Sequence, residues 1–327
     1  MKNPPSMLNR RHFFFGSLGL ALSCTRRTVQ PTSANLDSER VSIVRVASYT
    51  HDLQSVVRRI LEDHRVAIAN KRILLKPNLV EFSPNAPINT SPVLVAAAVE
   101  AFHALGAAAV TIAEGPGHRR MTLDMAEAAG FFSAVPKFEE LFIDLNTDDV
   151  HRVPLTSAVS TLRELYLPDT VFDCDLIVSL PKMKTHHWAG ATLSMKNLFG
   201  VVPGSVYGWP KNILHWAGID ESIVDLNHLF PRQFAIVDGI EAMEGNGPIL
   251  GTPKQLGLVV AGNHPPSVDA TCCQIMGIDP AKIRYLTLFS EKSHWNWKNI
   301  RQAGETIKSV SSEFALHPAL QHLRLLK

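Results

Sequence analysis

Apolar strands and amphipathic helices alternate along most of this 327-residue chain. Residues 41–47 and 72–80 are runs of β-branched and other apolar residues, which predict buried strands. Residues 52–64 have the periodicity of an amphipathic helix, and Thr90 or Ser91 caps the next one. Because a helix between two strands returns the chain to the same end of a sheet, this order predicts an α/β fold, with a mainly parallel sheet and helices on both of its faces.

A polar region over residues 146–165 interrupts the alternation, which resumes with a strand at 175–180. The chain is long enough for one large core or two medium-sized cores. We therefore expect an N-terminal α/β unit over residues 40–165 and a C-terminal α/β unit over residues 166–327.

Residues 1–24 are similar to a twin-arginine export signal. Arg10 and Arg11 precede a short apolar stretch at 13–22, and the polar residues 25–39 would form a tether. The letters "ALSC" fit either ordinary signal cleavage or a lipoprotein site with Cys24 as the lipidated residue. The alternative is a plain amphipathic terminus. We expect export by the twin-arginine machinery to the periplasm or another extracytoplasmic compartment, with membrane contact only through the signal or a lipid anchor.

Composition excludes several classes of protein. Lysine and arginine number 32 against 30 aspartates and glutamates, so the chain lacks the basic surface of a nucleic-acid binder. No apolar run reaches the roughly 20 residues that a membrane-spanning helix needs. The four cysteines form no Cys-x-x-Cys pair, which argues against a zinc ribbon or an iron–sulfur cluster.

The stretch 180–204, "LPKMKTHHWAGATLSMKNLFGVVPG", concentrates basic groups in an apolar setting. Among its three lysines and two histidines are Lys184, Lys196 and His186, and it contains no acidic residue. A solvated surface run would mix acids with these bases. The stretch therefore either lines a site or forms a loop that binds only a structural anion.

Two further basic loops follow predicted strands, namely "KPN" at 76–78 and "EGPGHRR" at 114–120. Each loop alone is compatible with a structural role, but the carboxyl ends of parallel strands meet at one edge of a sheet, where ligands bind. We therefore predict one shared site. Its catalytic residues are His118, His186 and Lys196, and its ligand-binding residues are Lys76, Asn78, Arg119, Lys184 and Asn197.

These residue types indicate acid–base chemistry on an anion. Lysine and arginine would bind a carboxylate or phosphate, and histidines would move protons near neutral pH. Burial beside Lys184 would lower the pKa of His186 and leave it neutral. The favoured function is an enzyme acting on a small anionic metabolite by histidine and lysine acid–base chemistry. The alternatives are a non-catalytic anion- or cofactor-binding protein of the envelope, and a redox accessory protein that handles a cofactor made elsewhere.

A carboxylate cluster follows the strand predicted at 234–240. Asp238, Glu241 and Glu244 could bind a hard cation through oxygen ligands. They could equally neutralise lysines across the cleft, or belong to a glycine-rich turn.

Motifs over about residues 43–290 resemble the domain of unknown function 362 family in order and spacing. They are "LLKPNLV", "LPKMKTH", "KNLFG", "DGIEAMEGNGPILGTP" and "SVDATCCQIMG". Some members of that family carry an added ferredoxin-like cysteine segment, which this chain lacks. The family name implies no settled activity.

A more distant similarity, carried by "GPGHRR", "HHWAG" and "VDLNH", is to the nickel-pincer lactate racemases. It implies that His118 and His186 are acid/bases, that Lys196 carries the cofactor and that His228 is a metal ligand. It also implies a racemase- or epimerase-like enzyme that acts on a hydroxy-acid-like metabolite. The chain departs from those enzymes at "ATLSM", where they have a serine- and glycine-rich run and this chain predicts a helix over 191–199. The departure argues against a nickel-type cofactor, so the metal hypothesis rests on His228, Asp238 and Glu244.

Overall fold

The structure is a computed structural model that describes residues 39–84, 86–117 and 121–326. The predicted export signal with Cys24, nearly all of the predicted tether, and the loop residues His118, Arg119 and Arg120 lie outside the described residues. Leu36–Lys327 form one compact unit.

Strands from the whole length of this unit build a ten-stranded sheet, and β5 and β6 form a separate hairpin. The strands are β1 (Arg40–Arg45), β2 (Arg72–Pro77), β3 (Ala109–Glu114), β4 (Phe142–Asp144), β5 (Val150–Pro154), β6 (Glu164–Pro168), β7 (Leu176–Leu180), β8 (Lys182–His186), β9 (Gly190–Thr192), β10 (Gln233–Asn246), β11 (Leu250–Gly262) and β12 (Arg301–Gly304).

The sheet is mainly parallel, as predicted. Its order is β12-β1-β11-β10-β7-β2-β3-β4, and β8 extends it by pairing with β10 and β9. Neighbours in that order are parallel except for the two pairs that involve β11, and β9 is antiparallel to β8. The predicted α/β class is confirmed.

The helices are α1 (Leu53–Asp63), α2 (Pro92–Ala104), α3 (Thr122–Ala128), α4 (Phe131–Ala134), α5 (Phe138–Leu141), α6 (Ser194–Asn197), α7 (Gly204–Tyr207), α8 (Asn212–Trp216), α9 (Ile219–Leu229), α10 (Pro265–Ile275), α11 (Arg284–Ser293) and α12 (Ile307–Val310). Short 3₁₀ helices occur at Asp169–Val171, Leu198–Val201, Pro280–Lys282, Trp297–Asn299 and Pro318–Leu323. None of the helices in the described ranges is long and apolar enough to span a membrane.

Apolar side chains cover both faces of the sheet, because successive residues of a strand point in opposite directions. In β2, Ile73 and Leu75 pack with the buried residues of α1 and α2, whereas Leu74 packs on the other face with Leu226 of α9. In β10, Val237 lies on the face that also holds α10 and α11. Helices on both faces are therefore confirmed.

The boundary predicted near residue 165 does not separate two compact units. β1 lies between β12 and β11, and β2 pairs with β7, so strands from the two halves of the chain alternate in one sheet. A run of apolar residues shows that a segment is a buried strand, but it does not show which strand hydrogen-bonds to it. The polar region at 146–165 contains β5 and the start of β6 rather than a linker.

Two local predictions in the basic stretch are wrong. Residues 182–186 form strand β8 rather than a loop, and His186 is its last residue. The helix predicted over 191–199 is replaced by β9, the short helix α6 and a 3₁₀ turn. The reason is that β8 pairs with β9 in an antiparallel hairpin, in which Gly190 follows the turn at a left-handed φ of 79° and begins β9.

Candidate functional site

A cavity of about 290 Å³ opens where β2, β3 and β8 end. Six of the predicted site residues line it, namely Lys76, Asn78, Lys184, His186, Lys196 and Asn197. His118 and Arg119 lie outside the described residues, so their place at the site stays a prediction. The loop that leads to them reaches the cavity at Gly115 and Gly117.

The cavity wall is strongly basic. Four lysines line it (Lys76, Lys184, Lys196 and Lys211), and among the lining residues that the structure describes Glu114 is the one carboxylate. All of these side chains except Lys196 are buried, and Lys196 is half-buried. Coulomb repulsion between cations is strong in such a low-dielectric setting, so the wall favours a bound anion.

Lys76 and Glu114 form a fully buried ion pair at the base of the cavity. The Lys76 ammonium also donates to the Pro77 carbonyl oxygen at 3.0 Å and to Asn197 Oδ1 at 3.3 Å. A methyl group at Gly200 would overlap both charged groups, which explains the glycine. Lys76 was expected to serve ligand binding rather than folding, and this expectation is corrected because protein groups occupy its ammonium.

Asn197 also proves to be structural. Its amide nitrogen donates to the Lys76 carbonyl oxygen at 2.9 Å and to Ser179 Oγ at 3.1 Å, and its amide oxygen accepts from Lys76. The side chain therefore ties α6 to β2 and β7 rather than binding a ligand. This arrangement fixes the position of its neighbour Lys196.

Asp269 of α10 holds the other end of α6. Its buried carboxylate accepts from the backbone nitrogen of Ser194 at 2.8 Å and from that of Met195 at 3.0 Å, and also from the Ser194 hydroxyl. These are the free N–H groups of a helix start. Burial raises the pKa of Asp269 to about 7. Asp269 is thus a positioning residue for the helix that carries Lys196.

Lys196 differs from the other lysines of the cavity. Among the described residues its ammonium has no hydrogen-bond or ion-pair partner, and it lies 4.3 Å from the centre of the Phe199 ring. Burial lowers the pKa of Lys196 to about 8, although the negative charge of Asp220 opposes that effect. An ammonium with unused donors at a cavity wall is suited to bind the anionic group of a ligand.

Within the described ranges, the ammonium groups of Lys184 and Lys211 each make one hydrogen bond to the protein. The Lys184 ammonium donates to the Ile88 carbonyl oxygen at 2.7 Å, and the Lys211 ammonium donates to the Gly115 carbonyl oxygen. Burial, and then repulsion by Lys196, holds the pKa of Lys184 well below its usual range. Burial lowers the pKa of Lys211 to about 7, so half of this amine is neutral near neutral pH.

His186 is neutral, because burial and then the charge of Lys196 hold its pKa well below the ordinary value. Its Nδ1 accepts from the backbone nitrogens of Trp188 at 3.1 Å and Ala189 at 3.2 Å. The ring hydrogen must therefore reside on Nε2. His186 consequently acts as a hydrogen-bond donor, and the expectation that it accepts a proton is corrected.

Aromatic rings continue from His186 to the rim of the cavity. His187 stacks on His186 with the ring centres 5.0 Å apart, and Trp188 packs edge-on between His187 at 4.7 Å and His215 at 5.2 Å. His187 Nδ1 lies 2.8 Å from the Gly247 carbonyl oxygen, which joins this loop to the turn after β10. Burial and then Lys196 lower the pKa of His215.

Buried polar atoms at the wall lack partners in the described part of the chain. They include Asn78 Oδ1 and Thr192 Oγ1, both from residues that line the cavity. Leaving such an atom unpaired costs about 1–3 kcal/mol. A ligand that bears hydrogen-bond donors and acceptors would satisfy these atoms.

The metal hypothesis for His228, Asp238 and Glu244 is corrected, because each has a separate protein partner. His228 stacks on Phe289 and its Nδ1 contacts the Val224 carbonyl oxygen. Asp238 is paired with Lys182 at 2.7 Å, and Glu244 is paired with Lys254 at 2.7 Å. Within the described ranges no three His, Cys, Asp or Glu residues are grouped as metal ligands.

The position of His228 argues against a nickel-type cofactor at this cavity. His228, the position matched to a nickel ligand, does not line the cavity into which Lys196 faces. The described residues therefore do not fit a lysine-bound nickel group.

The sequence did not identify three residues of the site as ligand or catalytic residues, namely Glu114, Lys211 and His215. Glu114 was visible as a carboxylate that ends an apolar strand, but its pairing with Lys76 spans 38 positions. Lys211 and His215 lie in a segment without clear periodicity, and no signal in the sequence identified them.

The sequence model of the family described as Domain of unknown function (DUF362) matches residues 73–274. The thylakoid-associated protein sll1697 of Synechocystis sp. is 30% identical over 257 residues, which cover 74% of this chain and 76% of that protein. The lactate racemase apoprotein from Thermoanaerobacterium thermosaccharolyticum is similar in structure, with a TM-score of 0.46 and 15% identity. That similarity covers 75% of this chain and 59% of the racemase.

Proposed function

The chain belongs to the DUF362 family, and we propose that its lysine-lined cavity binds a small 2-hydroxy-carboxylate and exchanges the proton on the carbon that bears the hydroxyl group. The observation that carries this proposal is the ammonium of Lys196, which has no hydrogen-bond or ion-pair partner among the described residues and faces a cavity with an excess of positive charge.

Hydrogen-bonding capacity favours a hydroxy acid over a simple anion. Lys196 and the Nε2–H of His186 are donors and need an acceptor, which a carboxylate supplies. Asn78 Oδ1 is an unpartnered acceptor and needs a donor, which a hydroxyl group supplies. A 2-hydroxy-carboxylate carries both groups on adjacent carbons. One small molecule can therefore accept from Lys196 and His186 and donate to Asn78 Oδ1.

Proton transfer in this proposal uses Lys211 as the base. Its neutral amine takes the proton from C2, so that a C–H bond breaks and an N–H bond forms. The electron pair of the C–H bond passes to the carboxylate oxygens, where Lys196 and His186 stabilise the added charge. Return of a proton to the opposite face would invert the centre. For that step the loop with His118 stays the predicted source.

Deuterium exchange tests the proposal directly. L-Lactate is incubated with the protein in D₂O, and the C2 proton signal is followed by NMR. We expect exchange to depend on protein and to fall by about 100- to 10,000-fold in Lys211→Met, since a positioned general base contributes that much. Absence of exchange at C2 for lactate and for longer 2-hydroxy acids would contradict the catalytic proposal.

The exchange rate should follow a narrow bell-shaped pH profile. Lys211 must lose its proton to act as a base, so kcat/KM rises with pH through its pKa of about 7. Lys196 must keep its proton to bind the carboxylate, so kcat/KM falls as pH rises through its pKa of about 8. We therefore expect a maximum between pH 7 and 8 in initial-rate measurements. A flat profile from pH 6 to 9 would contradict these assignments.

The second candidate is a protein that binds an anion without catalysis. The tautomer of His186 favours it, because this histidine cannot accept a proton while Trp188 and Ala189 donate to Nδ1. Calorimetry and the exchange assay separate the two candidates. Binding of L-lactate that depends on Lys196, without exchange at C2, is the outcome for a binding protein.

We also propose that the protein is exported through the twin-arginine machinery and acts in an extracytoplasmic compartment. The support is the order of features in residues 1–24, where Arg10 and Arg11 precede an apolar stretch. Anchoring through a lipid on Cys24 is the variant of this proposal that "ALSC" allows.

Replacing Arg10 and Arg11 together by lysine keeps the charge but removes the pair that the exporter recognises. We expect the processed form to disappear from the envelope fraction and the precursor to accumulate in the cytoplasm, as followed by immunoblotting. A matched control changes Arg26 and Arg27 to lysine, which lie beyond the apolar stretch. Unchanged export of the Arg10/Arg11 variant would contradict the proposal.

A further inference from the structure

A second, larger cavity of about 680 Å³ lies beside the lysine-lined one. We refer to it as the outer cleft. The two cavities share His187, Trp188, Pro248 and Ile249 as wall residues. A ligand that extends past these residues therefore passes from one cavity into the other.

The outer cleft differs in chemistry from its neighbour. Its wall, within the described residues, contains no lysine, arginine, aspartate or glutamate. Two large apolar side chains at this wall are open to solvent, since Trp188 is 62% exposed and Leu250 is 76% exposed. Exposed apolar surface next to a ligand cavity is a feature of binding sites.

Both of these side chains sit on fixed supports. Trp188 packs between His187 and His215, and the backbone of His187 donates to the Gly247 carbonyl oxygen at 3.0 Å. Leu250 begins β11 at the tip of the long hairpin that it forms with β10. The cleft is thus a pre-formed surface, which lowers the entropic cost of binding an apolar group.

We propose that the outer cleft binds an apolar extension of the same ligand, so that the physiological ligand is a 2-hydroxy-carboxylate with an aliphatic or aromatic substituent rather than lactate itself. This inference rests on the proposed function, because the carboxylate is held by Lys196. The charged end lies among the lysines, and the substituent crosses Trp188 to reach Leu250.

A chain-length series tests the inference by calorimetry. L-Lactate, 2-hydroxybutanoate and 2-hydroxyhexanoate are titrated into the full chain. Each buried methylene contributes about fourfold to affinity, so 2-hydroxyhexanoate should bind roughly 50-fold more tightly than lactate. It should also change the tryptophan fluorescence of the wild type but not that of Trp188→Phe.

Leu250→Ser should lower the affinity for 2-hydroxyhexanoate by about tenfold and leave the affinity for lactate unchanged. The matched control is Leu326→Ser, a similarly exposed leucine that lines neither cavity. Equal affinity for all three acids, with binding that still depends on Lys196, would overturn the inference and leave the proposed function intact. A length advantage that survives in Leu250→Ser would overturn the assignment to the outer cleft. Failure of every acid to bind would overturn both.

Discussion

Lys196→Met will weaken binding of 2-hydroxy-carboxylates by about 30- to 1,000-fold, because it removes the one unpartnered cation that faces the cavity in the described part of the chain. A charge-assisted contact to a carboxylate in a site screened from water contributes about 2–4 kcal/mol. Methionine keeps most of the length and packing of the lysine side chain, so the change tests the charge. Calorimetry with 2-hydroxyhexanoate, the acid expected to bind most tightly, measures the effect.

The same substitution should leave the free energy of unfolding unchanged or slightly higher. Burial disfavours the Lys196 ammonium, as its pKa of about 8 indicates, so the folded protein loses no favourable ion pair. Lys308→Met, at an exposed lysine outside the cavity, is the matched control for binding. Equal affinity of Lys196→Met and Lys308→Met would show that Lys196 is not the ligand-binding cation.

Glu114→Ala will lower the free energy of unfolding by about 3–5 kcal/mol. Lys76 would be left as a buried charge without its partner, and breaking a buried pair from one side costs this much. Two backbone nitrogens, those of Leu79 and Gly115, would also lose their acceptor. Urea unfolding at pH 7, followed by circular dichroism, measures the change.

The control is Glu140→Ala, which removes one side of the exposed Lys137–Glu140 pair and should have no measurable effect. The double variant Lys76→Met with Glu114→Gln removes both charges, and we expect it to recover part of the lost stability. If Glu114→Ala has the same urea midpoint of unfolding as the wild type, the Lys76–Glu114 pair does not stabilise the protein.

Much of the fold could be predicted from residue patterns. β1 and β2 lie within about three residues of the predicted strands, because burial on both faces requires a continuous apolar run. The helix that begins at Pro92 was predicted for a similar local reason, since Ser91 and Pro92 are a helix start. These signals depend on residues within one element, so no distant partner is needed to recognise them.

The short helix α6 shows where this reasoning fails. "ATLSMKNLF" has the composition of a continuous helix, yet its first residues pair with β8 and the helix starts only at Ser194. Asp269 supplies the cap from 75 positions away. A cap of this kind cannot be recognised from periodicity, because periodicity reports only on neighbours within the same element.

The basic stretch and the "KPN" loop were enough to indicate that their side chains line one shared cavity, because their residue types and their places after strands are local properties of the chain. The sequence could not show which lysine ammonium remains free to bind a ligand, because that depends on residues that are distant in the chain. Lys76 and Lys196 have the same chemistry, but Glu114 and Asn197 occupy one ammonium and no described group bonds to the other. That difference arises only when β2, β3 and α6 pack together, since the energy of a buried charge depends on the groups that surround it in space.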